Sequence, residues 1–349
     1  MQRRRGNLAW ISENCTVLGA GACPQPFLLS VGQAKRSHVT YRGRFAPSPT
    51  GDLHMGSAAT ALLAWLRARS NNGEFVLRVE DIDAPRTVAG CEAGQLADLH
   101  WLGIDWDEGP DCGGPYAPYR QSERSALYDS AIARLAAQGL VYLCDCSRKE
   151  IASVSSAPHI GEEGPRYPGT CRRHGMQPRA WRRPPAVRVA VPDREVVVVD
   201  ALQGELRQNV NAVVGDFVLK RGDGAYSYQL AVVVDDLAMN ITEVVRGFDL
   251  LASSPRQKLL AEMLGGCAPA FAHVPMVVGS NGERLQKRDA AQRFHGRRET
   301  AKNSAPVLAT IAQMLQPGAS IRGTLAQILQ RFDFDALRHC REVRLPLDD

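Results

Sequence analysis

Apolar positions fall in short blocks separated by Pro- and Gly-rich breaks, and the spacing changes from helical to strand-like and back along the chain. Ala58, Leu62, Leu63 and Leu66 recur at helical spacing between Ser57 and Arg69, which predicts a helix there. Just before it, Arg44-Phe45-Ala46-Pro47-Ser48-Pro49-Thr50-Gly51-Asp52-Leu53-His54-Met55-Gly56 ends a strand near Phe45 and turns on two prolines and a glycine. Just after it, Phe75-Val76-Leu77-Arg78-Val79 reads as a short apolar strand closing on Glu80, Asp81 and Asp83. Strand, loop, helix, strand opens a parallel α/β sheet, whose ligands bind at the C-terminal edge of the strands.

The same patterning predicts helices around Cys91 to Leu102, Ser122 to Gln138 and Ser254 to Met263, and strands within Val187 to Val199 and Ile241 to Gly247. Phe217 to Lys220 and Tyr226 to Gln229 read as a hairpin around Arg221-Gly222-Asp223-Gly224. Val232-Val233-Val234 reads as a strand ending at Asp235 and Asp236, for which helix capping and a role at ribose or Mg²⁺ are both open. From Asp289 onward the pattern is helical, broken at Gln316-Pro317-Gly318. The resulting division is 1–39, an extension expected to be disordered; 40–140 and 226–300, two halves of one nucleotide-binding domain; 141–225, an insertion; and 301–349, a helical C-terminal region.

Composition changes this picture little. With 349 residues, 44% of them hydrophobic, the chain has the make-up of a globular protein, and no apolar run approaches the roughly 18 residues that span a bilayer. A net charge of +5 permits transient contact with a polyanion. Nine cysteines is an odd number. Three of them cluster, which favours a metal site in a reducing compartment, the cytoplasm, over a disulfide framework.

The first chemistry follows from the opening turn. A helix N-terminus offers unpaired N–H groups and a positive dipole end to a phosphate, and His54 and Gly56 sit on that turn. The second lies between Cys144 and Arg183, where Cys, Pro, Gly, Arg and His replace apolar residues. Cys144-x-Cys146 and Cys171 fall within 28 residues of a segment too polar to build its own core, as thiolate ligands of Zn²⁺ would. Spacing alone nominates His174 as the fourth ligand.

The combination RFAPSPTG, HMGS and VEDIDAPR resembles the class I glutamyl and glutaminyl tRNA synthetases, with HMGS in the place of their "HIGH" signature. The resemblance covers Thr40 to the final helices. It implies a Rossmann-type α/β catalytic fold that forms an aminoacyl adenylate from ATP, with Mg²⁺, and an amino acid. It further implies that Gly282-Glu283-Arg284-Leu285-Gln286-Lys287-Arg288-Asp289 is an altered form of the lysine loop "KMSKS". Arg284 replaces the first lysine and Gln286 the usual serine, while Lys287 keeps the position expected on the ATP phosphates. His54 and Lys287 are then the catalytic pair, and His54, Gly56 and Lys287 bind ATP. Arg44, Phe45, Ala46, Pro47, Ser48, Glu80, Tyr228 and Arg246 line the amino-acid pocket by the same resemblance. Its arginines take carboxylates, Glu80 the ammonium, and Tyr228 donates a hydroxyl. Two arginines favour L-glutamate over glutamine.

Within this family the chain is similar to the glutamyl-Q tRNA(Asp) synthetases, whose insertion carries Cys-x-Cys followed by Tyr-x-x-x-Cys. That implies Cys144, Cys146, Tyr167 and Cys171 as the Zn²⁺ ligands, with His174 in reserve. Sixty-one residues follow Arg288, too few for an anticodon-reading domain of well over about 100 residues, so none is expected. The implied activity is tRNA-independent activation of glutamate and its transfer to queuosine at the wobble position of tRNA(Asp), by a monomer with no membrane contact. Arg172, Arg173, Arg179, Arg182 and Arg183, with Arg293, Arg297, Arg298 and Lys302, are the expected phosphate contacts. A glutamyl or glutaminyl ligase with another acceptor, and a silent RNA-binding paralogue, are the alternatives.

Overall fold

A computed structural model describes residues 40–154, 166–279, 282, 298, 303–316 and 324–345. The extension 1–39 and the lysine loop with Lys287 lie outside the described residues, as do Arg293, Arg297 and Lys302.

Strand β1 (Arg42–Phe45) leads through the Pro/Gly loop to helix α1 (Met55–Ser70), which returns to β2 (Glu74–Leu77). β1 and β2 pair in parallel, Arg44 opposite Val76. Helices α2 (Cys91–Trp101) and α3 (Ser125–Ala137) follow at the predicted places. β3 (Val141–Cys144), α4 (Arg148–Val154) and β4 (Ala186–Val189) come next, then β5 (Glu195–Asp200), β6 (Gly204–Asn209), α5 (Val210–Val213) and β7 (Val218–Lys220). After α6 (Tyr228–Ala238), β8 (Glu243–Gly247), α7 (Ser254–Met263) and β9 (Ala270–Val274) complete a parallel unit with Arg246 opposite His273. Thr242 N–H donates to Arg42 O at 2.9 Å, which ties β1 to the start of β8. β5 and β6, inside the predicted insertion, join the β9 edge through Asp200 opposite Phe271.

Helix α1 is buried on nearly all sides, ten of its sixteen residues being inaccessible, so it is the centre of the main core rather than a one-sided helix. Its neighbours in that core include Phe75, Leu77, Val245, Val274 and Val277.

Three expectations change. Tyr226 to Gln229 contributes one antiparallel bridge, Lys220 to Tyr226, and Tyr228 already begins α6. Val232-Val233-Val234 is the middle of that helix: all three valines are buried, and burial outweighs the modest helix penalty of β-branched residues. The C-terminal region is not wholly helical, because after Ala305–Leu315 and Leu325–Arg331 the strand β11 (Glu342–Arg344) pairs in parallel with β10 (Met276–Val278). No helix among the described residues is long and apolar enough to cross a membrane.

Candidate active site and metal knob

The loop after β1 is pinned along its length. Arg78 N–H donates to Phe45 O at 3.0 Å, Glu80 N–H to Pro47 O at 2.9 Å, and the Gln95 amide to Ser48 O and Gly51 O at 3.1 and 2.7 Å. The Phe45 side chain packs in the main core, so it offers the site its main chain only.

His54 is the N-cap of α1. Its Nδ1 accepts the Ser57 N–H at 3.2 Å, which places the ring proton on Nε2, 3.0 Å from Ser57 Oγ. A Cβ at position 56 would lie 3.1 Å from His54 Nδ1 and 3.6 Å from Val277 Cβ, so Gly56 keeps room for the imidazole. Val277 belongs to β10, so the strand that precedes the lysine loop in the chain packs beside the start of α1.

Arg44, Glu80, Tyr228 and Arg246 gather at the ends of β1, β2 and β8 and the start of α6, close enough to influence one another electrostatically. They rest on a buried ionic lattice. Arg78, fully buried, donates to Asp236 Oδ1 at 2.7 Å and Glu80 Oε1 at 3.1 Å and lies 3.7 Å from Asp235 Oδ2. Arg44 Nε reaches Asp236 Oδ1 at 3.4 Å. Asp235 accepts from Arg124 at 2.6 Å, Gln121 at 2.9 Å and the Tyr128 hydroxyl at 3.0 Å. The two aspartates therefore neither end a strand nor cap a helix; they anchor arginines.

The charges of this cluster depart from ordinary values in opposite directions. Burial pushes the Glu80 carboxyl up, against the pull of Arg78 and Arg44. Burial draws the Arg246 guanidinium down, and the Arg44 charge acts the same way. Burial opposes ionisation of Asp236, but Arg78 and Arg44 outweigh it and hold that carboxyl low. Burial also raises the Tyr228 phenol, whose hydroxyl makes no hydrogen bond among the described residues.

Arg246 is itself held. Its Nε donates to His273 Nε2 at 2.9 Å, and its terminal nitrogens donate to Gln257 Oε1 at 2.7 Å and Ser254 Oγ at 2.8 Å. His273 lies 2.5 Å from Asp200 through Nδ1. Burial lowers the His273 pKa below its ordinary 6.5; Asp200 opposes that shift, whereas the charges of Arg246 and Arg44 add to it. The unfolded chain then binds the extra proton first, so stability is lost as pH falls from about 6.5 toward the depressed native value. Asp200, which His273 holds low, loses its contribution only further down, below its ordinary 3.8. Urea midpoints are expected to drop between about pH 7.5 and about pH 5, with a shallower drop in His273→Gln.

Arg78 and His273 were missed in the sequence reading, although each is a lone polar residue inside an apolar run, Phe-Val-Leu-Arg-Val and Ala-Phe-Ala-His-Val. Nothing in the local pattern points to Gln257, Ser254 or Arg124.

The knob brings its three cysteines together: the sulfurs of Cys144, Cys146 and Cys171 lie within 4.8 Å of one another. The Tyr167 hydroxyl is 3.3 Å from Cys144 Sγ and 3.7 Å from Cys146 Sγ, and it accepts the Cys171 N–H at 3.0 Å. His174 is outside this group and faces Arg173 at 3.3 Å. Burial and the neighbouring thiols push Cys146 up to about 12, whereas Tyr167 and Arg188 pull Cys144 down against its own burial. Three converging thiols, those of Cys144 and Cys171 buried and that of Cys146 half-buried, and a phenol are a donor set suited to Zn²⁺. Tyr142, Ile151 and Tyr167 pack with Cys144 and Cys171, so the knob has a small core after all. These three are free thiols, as are Cys91, Cys112 and Cys340 among the described residues.

The arginines expected to meet RNA are mostly committed within the fold. Arg172 forks onto Asp216, Arg179 and Arg182 meet Asp145 at 2.7 and 3.4 Å, and Arg183 meets Glu150 at 3.5 Å. Arg298 pairs with the buried Asp98.

A family model described as "tRNA synthetases class I (E and Q), catalytic domain" matches residues 40–335. The chain is 50% identical over 277 residues to a glutamyl-Q tRNA(Asp) synthetase of Symbiobacterium thermophilum, covering 78% of this chain and 85% of that one. It is 46% identical over 302 residues to the protein of the same name from Burkholderia mallei, covering 85% and 95%. Among solved structures, a glutamate tRNA ligase of Elizabethkingia meningosepticum in complex with its amino acid superimposes with a TM-score of 0.75 at 30% identity, over 88% of this chain and 67% of that one.

Proposed function

The chain belongs to the class I tRNA synthetases of the E and Q type and is a ligase, and on that premise we propose that it activates L-glutamate with ATP in the absence of tRNA and transfers it to queuosine at the wobble position of tRNA(Asp). One observation carries the choice of amino acid. A carboxyl pushed up and a guanidinium drawn down within one buried cluster are both relieved by a ligand bearing an ammonium and two carboxylates. Glu80 takes the ammonium, Arg44 and Arg246 take carboxylates, and the Tyr228 hydroxyl donates to the ligand. Phe45, Ala46, Pro47 and Ser48 form the pocket wall as a pinned main chain.

In the first step a glutamate carboxylate oxygen bonds to the α-phosphorus, the bond to the bridging oxygen breaks, and pyrophosphate leaves. The site's work is to position the two reactants and to neutralise charge spread over the phosphoryl oxygens. His54, protonated at Nε2, donates to a phosphate from the end of α1, Gly56 lets the backbone approach, and Lys287 supplies an ammonium. Mg²⁺ accompanies ATP. In the second step a cyclopentene hydroxyl of queuosine attacks the adenylate carbonyl and AMP leaves with the electron pair.

Cys144, Cys146, Cys171 and Tyr167 would hold one Zn²⁺, whose contribution is to staple the knob. Purified protein is expected to contain about one zinc per chain, the capacity of a four-coordinate site. Cys144→Ser or prolonged chelation removes it and lowers the melting temperature by several degrees.

ATP–pyrophosphate exchange tests the reading directly. Exchange that requires glutamate and no tRNA is expected, followed by charging of tRNA(Asp) only when it contains queuosine. No exchange without tRNA rejects the first half, and equal charging of queuosine-free tRNA the second. The protein is proposed to work as a cytoplasmic monomer.

A further inference from the structure

We propose that Asp200 and His273 are positioning residues which set the preference for glutamate over glutamine by fixing the fork of Arg246, an inference that rests on the glutamate-activation reading above. The chain of contacts has a direction. Asp200 accepts the His273 N–H at 3.1 Å and the backbone N–H groups of Leu202 and Gln203 at 3.0 and 2.9 Å, so its carboxylate is an acceptor on every side. The His273 ring proton therefore sits on Nδ1, facing Asp200 Oδ2. Nε2 is left as an acceptor, and it takes the Nε–H of Arg246. Gln257 accepts from one terminal nitrogen of Arg246, and its own amide is oriented by donating to Gln229 Oε1 at 2.9 Å. Gln229 adjoins Tyr228, so this network also ties the two ligand-facing side chains together.

Four N–H groups of the guanidinium are engaged, on His273, Gln257, Ser254 and, at 3.4 Å, the Leu250 carbonyl, and its plane is fixed by partners on all three nitrogens while one N–H remains for a ligand. A fork held in this way offers donors only. A carboxylate pairs with it, whereas an amide presents its NH₂ to further N–H groups and loses hydrogen bonds on both sides. A fork free to swing would turn aside for the amide, so rigidity is what converts Arg246 from an attraction for anions into discrimination between two side chains of nearly equal shape.

His273→Asn and His273→Gln separate this role from a general packing role. Asparagine can still face Asp200 but leaves Arg246 Nε without its acceptor, while glutamine can place an amide oxygen where Nε2 stood. In pyrophosphate exchange, His273→Asn is expected to raise the KM for glutamate about 10- to 100-fold, the loss of one charge-assisted hydrogen bond. The KM for ATP should stay constant and the glutamate-to-glutamine ratio of kcat/KM should fall. His273→Gln is expected to recover most of that ratio. Should His273→Asn fail to fold, Asp200→Asn, which frees the ring tautomer, is expected to raise the glutamate KM in the same direction. A folded variant of either kind with unchanged glutamate KM and unchanged selectivity overturns the proposal while wild-type exchange stands. Wild-type protein that exchanges no pyrophosphate with glutamate overturns the functional reading, and this inference with it.

Discussion

Arg78→Met is expected to destabilise the fold by about 3–5 kcal/mol and to abolish glutamate activation even in the fraction that folds, the destabilisation being that of a buried ion pair broken on one side. Arg78 is 0% exposed and meets Glu80, Asp235 and Asp236, so its removal leaves three carboxylates with less compensation in a largely buried cluster. Arg124 still serves Asp235, and Arg44 still reaches Asp236. Glu80 is left worst, because burial already pushes its carboxyl up and the loss of Arg78 removes its largest opposing charge. Its carboxyl is pushed further up, which weakens its hold on an ammonium. Urea unfolding measures the first effect and the glutamate KM the second. A variant as stable as wild type would show that the lattice is not what holds β2 to α6.

His54→Ala is expected to lower the rate of adenylate formation by about 10²- to 10³-fold, the usual consequence of removing one donor aimed at developing charge. The same substitution removes the N-cap of α1 and costs about 1 kcal/mol of stability. His54→Asn separates the two effects, since an asparagine side chain caps the Ser57 N–H as the imidazole does and cannot reach as far. A rate loss shared by both variants, with stability restored in His54→Asn, assigns the loss to chemistry. Lys287→Ala is expected to lose rate to a similar extent with no change in stability. Exchange rates unchanged in all three variants would remove both residues from the phosphate site.

Much of the site was legible because its parts are local. The Pro/Gly turn, the helix that follows it and the strand ending in carboxylates are each specified within a dozen residues, and the fold has them at β1, α1 and β2. Tyr167 was nominated over His174 by resemblance alone; its hydroxyl lies 3.3 Å from Cys144 Sγ, whereas His174 stands outside the cysteine group. The reading failed where burial overrides propensity. Three consecutive valines look like a strand, yet in α6 they face the core, and the aspartates after them point into an ionic lattice instead of a solvent edge. The ion pairs of the knob's arginines were hidden for a related reason: their partners Asp145, Glu150 and Asp216 are spread along 72 positions and give no local sign of pairing.

By itself the sequence determined the chemistry on offer: a capped helix end, a lysine-bearing segment, a set of thiols, and two arginines at strand ends, because these depend on residue types held in short backbone motifs. Only the tertiary structure decided what the arginines do. Arg78 meets Asp236 across 158 positions of chain and Arg246 meets His273 across 27. In a buried site every charge must find a partner, and which partner it finds is settled by how strands and helices pack, not by the order in which they are strung.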